Sequence, residues 1–183
     1  CDDVSAFGGI VAFNQKVDLE TAKLLSSIFL ECVVAPSFSL DALAMLKNKK
    51  NLRLIEFKKQ MIPKDNKKSC KSIMGGILVQ DNDKKKENKN EWEFVTKKKP
   101  TTAELDDLDF SWKICKHVKS NAIVISNNKR TIGIGAGQMN RVGAAKIALN
   151  AAQDNCKGAV MASDGFFPFA DTVELANKYG IKS

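Results

Sequence analysis

The stretch NAIVISNNKRTIGIGAGQMNRVGAAKIALNA, residues 121–151, contains two apolar runs followed by a helical pattern. The runs, residues 122–125 and 131–134, are rich in β-branched residues, and the two asparagines at 127–128 predict a tight turn between them. Beyond a glycine cluster, apolar residues recur at helical spacing: Val142, Ala145, Ala148 and Ala151. The stretch therefore predicts a β-hairpin followed by a helix, as in an α/β fold.

The same alternation of strands and helices continues toward the N-terminus. Residues 9–13, 33–35 and 51–57 read as strands. Asp18 is predicted to cap a helix that runs to about residue 30, and Ser39 to cap a short helix over the next seven residues. The predicted elements therefore alternate in a β-α-β order.

The second half of the chain shows a comparable pattern. Thr101-Thr102-Ala103-Glu104 fits a capping box and predicts a helix that extends to about Lys119. After the hairpin and its helix, residues 159–162 predict a further strand and residues 172–179 a last helix. We therefore predict an α/β fold built as layers, α-β-α.

The intervening residues 58–99 are polar and lysine-rich. Their one more apolar stretch, residues 73–79, is either a strand in a crossing segment or part of a linker between subdomains. We place the boundary near Lys99-Pro100. This division gives two predicted regions, 1–99 and 100–183.

The charge of the chain disfavours a nucleic-acid partner. The net charge is +8, but most lysines lie within residues 47–99 with few aromatic residues between them. Nucleic-acid surfaces usually combine arginines and stacking rings with the charge, and the chain has three arginines, Arg53, Arg130 and Arg141. A solvated lysine surface is therefore the preferred interpretation.

Membrane and metal sites are also not expected. The sequence has no apolar run of the ~18 residues that a membrane helix needs and no signal-peptide pattern at its start. The five cysteines form no CxxC pair, and the single histidine, His117, is not followed by spaced ligands. We therefore expect a cytoplasmic protein with reduced thiols, no metal and no membrane partner.

The glycine cluster at residues 133–137 is a candidate phosphate site. Its backbone amides and the N-terminus of the following helix can bind a phosphate, and Arg141 can bind a phosphate through two hydrogen bonds. The cluster lacks a P-loop lysine and the dinucleotide spacing. The alternative is a tight turn with close packing.

Two further features have both a functional and a structural interpretation. Asn121 can orient a polar substrate through its amide, or cap the end of the preceding helix. Residues 164–171 place three phenylalanines between two carboxylates, which suits a planar heterocycle beside an apolar wall. The alternative is that the phenylalanines fill the hydrophobic core and that Asp171 caps the next helix.

Four segments in order, residues 5–14, 118–124, 133–142 and 162–169, closely resemble segments of the AICAR transformylase family. Residues 75–81 and 95–96 fit the stretch between them. The resemblance extends over essentially the whole chain. Several motifs in register make it more specific than any one motif.

The resemblance implies a formyltransferase of purine biosynthesis. Such an enzyme transfers a formyl group from 10-formyltetrahydrofolate to the 5-amino group of AICAR and gives FAICAR. The family is built from cytidine-deaminase-like α/β subdomains without the zinc ligands, and it forms a homodimer with shared active sites. The parent protein is expected to carry an IMP cyclohydrolase domain as well. A non-catalytic nucleotide-binding module, suggested by the glycine cluster, is the alternative.

The resemblance also assigns roles to seven residues. The positions that match contacts to the AICAR nucleotide are Gly8, Glu31, Asn121 and Arg141, with Arg141 near the phosphate and Asn121 in the orienting catalytic role. The positions that match the folate side are Val142, Phe166 and Asp171.

The family's catalytic Lys-His pair lies upstream of the segment matched by residues 5–14, so this chain begins too late to contain it. Lys116-His117 has the same two residue types but belongs to the helix before Asn121, so we interpret it as a chance match and not as the catalytic pair. The isolated chain is therefore expected to lack useful activity. Gly165 stands where the family usually has alanine.

Overall fold

A computed structural model describes residues 5–58, 68–85 and 88–183 and shows a mixed α/β structure. The chain divides into two compact units between residues 86 and 87. We call residues 5–58 and 68–85 the first unit and residues 88–183 the second unit. The division falls within the lysine-rich segment, part of which lies outside the described residues, and the assignment of deaminase-like subdomains stays a prediction.

The first unit contains a parallel three-stranded sheet with the order β1-β2-β3 and two helices. Its elements are β1 (Gly9–Ala12), α1 (Leu19–Ser26), β2 (Leu30–Ala35), α2 (Leu40–Lys47) and β3 (Arg53–Glu56). Val33 of β2 pairs with Val11 of β1 and Leu54 of β3, and all three side chains pack in one core with the buried side chains of the helices, such as Leu25 and Leu46. Alternate residues of the strands therefore supply one apolar face of the sheet.

The helix caps of the first unit are confirmed. Asp18 accepts a hydrogen bond from the Thr21 amide at 2.8 Å, and Ser39 accepts one from the Ala42 amide at 3.3 Å. The predicted end of α1 near residue 30 is wrong, because the helix ends at Ser26 and Leu30 begins β2. Leu30 is buried in the core as a strand residue, so tertiary pairing overrides the local helical pattern.

The apolar stretch at residues 73–79 does not form one strand. It contributes to the antiparallel hairpin β4 (Lys68–Ile73) and β5 (Gly76–Asp81), whose turn contains Gly75 with a positive φ of 79°. Glycine adopts this conformation without steric cost, which explains why the chain reverses there.

The second unit is layered, with helices on both faces of an antiparallel sheet of order β7-β6-β8. Its elements are α3 (Thr102–Cys115), β6 (Ile123–Asn127), β7 (Arg130–Gly135), α4 (Arg141–Ala152), β8 (Val160–Ser163) and α5 (Asp171–Lys178), with short 3-10 turns at Lys89–Glu91 and Gln153–Cys156. On β6, Ile123 and Ile125 pack with α4, whereas Val124 packs with Cys115 of α3. The predicted α-β-α layering is therefore present in this unit.

One predicted detail of the second unit is confirmed and two are wrong. The capping box is present: Glu104 donates its amide to the Thr101 hydroxyl oxygen, and its carboxylate accepts the Thr101 amide at 2.7 Å. However, α3 ends at Cys115, well before Lys119. The hairpin turn is formed by Asn128 and Lys129, which have φ values of 53° and 55°. Two left-handed residues match the twist of the strands, so the turn lies one position later than predicted.

Within the ranges that the structure describes, no helix is long and apolar enough to cross a membrane. In the same ranges, no group of three or more histidine, cysteine, aspartate or glutamate residues is arranged to hold a metal ion.

Candidate functional site

One end of the sheet in the second unit brings three loops together. Ile123, the first residue of β6, pairs with Gly135, the last residue of β7, and with Ser163, the last residue of β8. The residues before β6 and the residues after β7 and β8 therefore emerge at the same edge. Asn121, Arg141 and Phe166 all belong to these connections or to the helix that follows them.

Asn121 is half-buried and is held by the loop that follows β7. Its side-chain Nδ2 donates to the Gln138 carbonyl at 2.8 Å, and its backbone amide donates to the same oxygen at 3.3 Å. The Ser120–Asn121 peptide bond is cis. The amide side chain does not cap α3, whose last carbonyls accept the backbone amides of residues 116–118. One N–H of Nδ2 is bonded to Gln138, so Oδ1 and the second N–H of Asn121 are the groups that can contact a ligand.

Asp164 joins the start of β6 to the end of β8. Its Oδ1 accepts the Ala122 amide at 2.9 Å, and its own amide donates to the Ala122 carbonyl at 3.4 Å. Burial raises the pKa of Asp164, but hydrogen bonds from the Ser120 side chain, the Ala122 amide and Arg141 outweigh it and lower the pKa to about 2. Asp164 is therefore a carboxylate near neutral pH, and the amide of Ala122, which follows Asn121, donates to it.

Arg141 contacts the same carboxylate. Its Nη1 donates to Asp164 at 2.5 Å and to the Ser163 hydroxyl at 3.1 Å, and its side chain is only 17% exposed. Nη2 lies against Gly165, where an added Cβ would overlap it. A guanidinium has five N–H donors, so it can hold Asp164 and still present donors to an anionic group.

The glycine cluster packs β7 against α4. An added Cβ would overlap the Ala148 carbonyl at Gly133 and the Ala144 carbonyl at Gly135. The Gly137 amide donates to the Lys119 carbonyl at 2.7 Å, and Asn140 caps α4 by accepting the Gly143 amide at 2.7 Å. Arg141 is consequently the first residue of α4. These contacts favour the close-packing interpretation of the cluster.

The three residues predicted for the folate side lie near this edge or on the next helix. Val142 follows Arg141 in α4 and is half-buried, and Phe166 is 80% exposed in the loop after β8. Asp171 is the first residue of α5 and accepts the Thr172 amide at 2.7 Å. Ala170, and not Asp171, occupies the cap position of that helix. An exposed ring on a loop suits stacking on a planar ligand.

The predicted residues of the first unit also lie together. Gly8 has a φ of 76°, and an added Cβ would lie 2.9 Å from Oε1 of Glu31. The Gly8 amide donates to the Phe29 carbonyl at 3.0 Å, and the Phe7 and Phe29 rings are 4.7 Å apart. The missing side chain of Gly8 thus allows the Glu31 carboxylate to lie against the backbone.

Two groups in the second unit are poor candidates for catalysis. Lys116 is the C-cap of α3, and His117 follows it on the exposed surface. Burial raises the pKa of the Cys115 thiol to about 11, with a further rise from Asp164 that Arg141 partly offsets. Cys115 is therefore a neutral thiol near neutral pH, and the thiolate is the nucleophilic form.

A cavity of about 850 Å³ lies behind the Asp164 loop. Ser163 and Gly165 line it together with aromatic residues that include Trp92, Trp112 and Phe167. Val142, Phe166 and Asp171 are not among its lining residues. The cavity therefore adds no support to the predicted folate contacts.

Sequence reasoning did not identify Gln138, Ser163 and Asp164 as members of the site. Asp164 was recognised only as one end of a phenylalanine-rich loop. Its position directly after a strand was the available signal, but the signal has meaning only once β8 is known to pair with β6.

Comparison with known proteins identifies the family of the chain. Residues 1–151 match the model of the AICARFT/IMPCHase bienzyme family. The chain is 68% identical over its whole length to a bifunctional purine biosynthesis protein PurH of Prochlorococcus marinus strain MIT 9215, and 67% identical to that of subspecies pastoris strain CCMP1986. It spans 35% of the length of each of these relatives. The chain therefore belongs to the AICARFT/IMPCHase bienzyme family.

Proposed function

We propose that this chain is part of a formyltransferase that converts AICAR and 10-formyltetrahydrofolate to FAICAR and tetrahydrofolate. Membership of the bienzyme family and the names of the relatives support a role in purine biosynthesis. The complete protein is proposed to carry IMP cyclohydrolase activity too, and to form a homodimer with shared active sites. Folate acts in this proposal as a cosubstrate, and no metal takes part.

The reaction needs orientation of a weak nucleophile. The 5-amino nitrogen of AICAR attacks the formyl carbon, the bond to folate N10 breaks, and one proton moves from the amine to the departing nitrogen. Asn121 is proposed to accept an N–H of AICAR through Oδ1 and to fix the angle of attack. The proton transfer is assigned to the Lys-His pair of the family, not to Lys116-His117.

The other predicted contacts come from two groups of residues, one in each unit. Gly8 and Glu31 of the first unit are proposed to contact the AICAR nucleotide. In the second unit, Arg141 is proposed to contact its phosphate with the donors that do not hold Asp164. Val142, Phe166 and Asp171 are proposed to line the folate side, with Phe166 bordering the pterin through its exposed ring.

The observation that carries the proposal is the restraint on Asn121. Its Nδ2 and backbone amide are both bonded to the Gln138 carbonyl, so the side chain is oriented before any ligand binds. A restrained amide at the edge from which Arg141 and the Phe166 loop also emerge is the geometry expected of a substrate-orienting residue.

The test uses the complete protein that contains this chain. Formation of tetrahydrofolate should require both AICAR and 10-formyltetrahydrofolate, and Asn121→Ala should weaken AICAR binding about tenfold or more. Asn150→Ala, on the exposed side of α4, is the matched control and should bind AICAR like wild type. AICAR binding without formyl transfer would favour the nucleotide-binding module instead.

A further inference from the structure

The loop that carries Asn121 is held directly after that residue by one carboxylate. Oδ1 of Asp164 accepts the Ala122 backbone amide at 2.9 Å, and the Ser120 side chain contributes to the lowered pKa of Asp164. The reciprocal bond from the Asp164 amide to the Ala122 carbonyl closes the pair. Asp164 therefore fixes the backbone at Ala122, the residue directly after Asn121.

The second restraint on Asn121 comes from the loop after β7, the strand on the other side of β6 from β8. Gln138, in the loop after β7, accepts both hydrogen bonds from Asn121. Asp164 restrains the backbone from the β8 side and Gln138 restrains the amide from the β7 side. Arg141, which donates to Asp164 and Ser163, keeps the carboxylate in place.

We propose that Asp164 is a positioning residue for Asn121: it fixes the Ser120–Ala122 loop so that the Asn121 side chain meets the AICAR nucleotide at the required angle. This inference rests on the proposed function. Asp164 acts through its acceptor oxygens and through Asn121, not by contact with the substrate. A displacement of about 1 Å in a group that orients a substrate can reduce the reaction rate ~10²-fold. The position of the loop therefore matters for how Asn121 orients AICAR.

The chain offers a matched control at the other end of β6. Asp107 accepts the Asn128 amide at 2.9 Å and the Lys129 amide at 2.7 Å, so it fixes the β6–β7 turn in a similar way. Asp107→Ala and Asp164→Ala each remove a carboxylate that holds a loop against the same strand. Of these two aspartates, only Asp164 contacts the loop that contains Asn121.

The first experiment is a double-mutant cycle in the complete protein, with the dissociation constant of the dephosphorylated AICAR riboside measured by calorimetry. The riboside is used because Asp164 also holds Arg141, which is proposed to contact the phosphate that the riboside lacks. Asp164→Ala should weaken binding about tenfold or more in the wild-type background, and less than about twofold when Asn121 is already alanine. Asp107→Ala should lower the melting temperature without weakening AICAR binding. Equal effects of Asp164→Ala in both backgrounds, or equal effects of the two aspartate variants, would overturn the proposal.

A second pair of variants decides the question if Asp164→Ala does not fold. Asp164→Asn keeps an acceptor oxygen in place and removes the charge, whereas Asp164→Glu keeps the charge and displaces the oxygens by one methylene. The proposal expects the asparagine variant to bind AICAR within about threefold of wild type and the glutamate variant to bind about tenfold more weakly. The reverse order would show that charge, not position, is the contribution of Asp164.

Failure of this inference can be told apart from failure of the proposed function. If Asn121→Ala does not weaken AICAR binding, the proposed role of Asn121 is wrong, and with it the inference. If Asn121→Ala does weaken binding but the Asp164 variants behave like Asp107→Ala, only the positioning role of Asp164 is wrong.

Discussion

Gly135 in β7 lies directly against Ala144 in α4, so close that a Cβ atom on the glycine would overlap the alanine carbonyl oxygen. Gly133 has the same relationship to Ala148, one helical turn further on. Because the obstacle is helix backbone, no change of rotamer can relieve it. The two glycines therefore set the distance between strand and helix in the second unit.

This contact predicts a large loss of stability on adding a methyl group. Gly135→Ala should lower the free energy of unfolding by about 3 kcal/mol or more, at the upper end of what overpacking costs. Denaturant unfolding of the complete protein, monitored by circular dichroism, measures it. Gly76→Ala is the control, since a Cβ there would be 4.0 Å from its nearest neighbour. Equal stability of the two variants would contradict the close approach of β7 and α4.

Arg141 provides a test of the phosphate contact. Arg141→Ala should weaken AICAR binding by roughly one to two orders of magnitude, because a hydrogen bond between charged groups contributes about 1.5–3 kcal/mol. The dephosphorylated riboside should lose less affinity, and calorimetry with both ligands gives the difference. That difference isolates the phosphate contact from the support that Arg141 gives to Asp164. Equal losses for nucleotide and riboside would mean that Arg141 acts only through Asp164.

His117 should be dispensable for turnover. The residue lies on the exposed surface just after α3, so His117→Phe in the complete protein should leave kcat within a few-fold of wild type. Steady-state kinetics at saturating AICAR and folate checks this. A loss of about a thousandfold, with an unchanged melting temperature, would identify Lys116-His117 as the catalytic pair after all.

Asp164 should make stability depend on acid pH. Its pKa falls from 3.8 to about 2 on folding, so the folded state favours the ionised carboxylate. The resulting stabilisation is fully present above pH 3.8 and is lost as the pH falls through about 2. The difference in free energy of unfolding between wild type and Asp164→Asn should therefore shrink between pH 5 and pH 2. A difference that stays constant over this range would show that Asp164 is not specifically stabilised as a carboxylate.

Local interactions are what the sequence allowed us to predict. The capping box of Thr101 and Glu104 and the caps Asp18 and Ser39 involve residues three positions apart, so residue type and spacing are sufficient. The end of α1 was predicted wrongly because Leu30 fits the helical pattern and the strand equally well. Its pairing with Gly9 of β1 and its burial in the core, which no local pattern records, place it in β2.

The candidate site shows the same limit. The sequence marked Asn121 and Arg141 through their resemblance to a family, but it left the glycine cluster open between a phosphate loop and close packing. The structure supplied the missing contact, since Gly133 and Gly135 face the carbonyls of α4. A glycine serves both purposes equally well, and only the neighbouring element distinguishes them.

The sequence by itself therefore determined the family, the order of strands and helices outside residues 58–99 and the caps of α1, α2 and α3, because these depend on residue type and on spacing of a few positions. Only the tertiary structure decided what Asp164 does, because its partner Ala122 is 42 residues away and meets it only when β6 pairs with β8. Hydrogen bonds across that distance follow from strand pairing and the burial of both sheet faces, and these are properties of the folded chain.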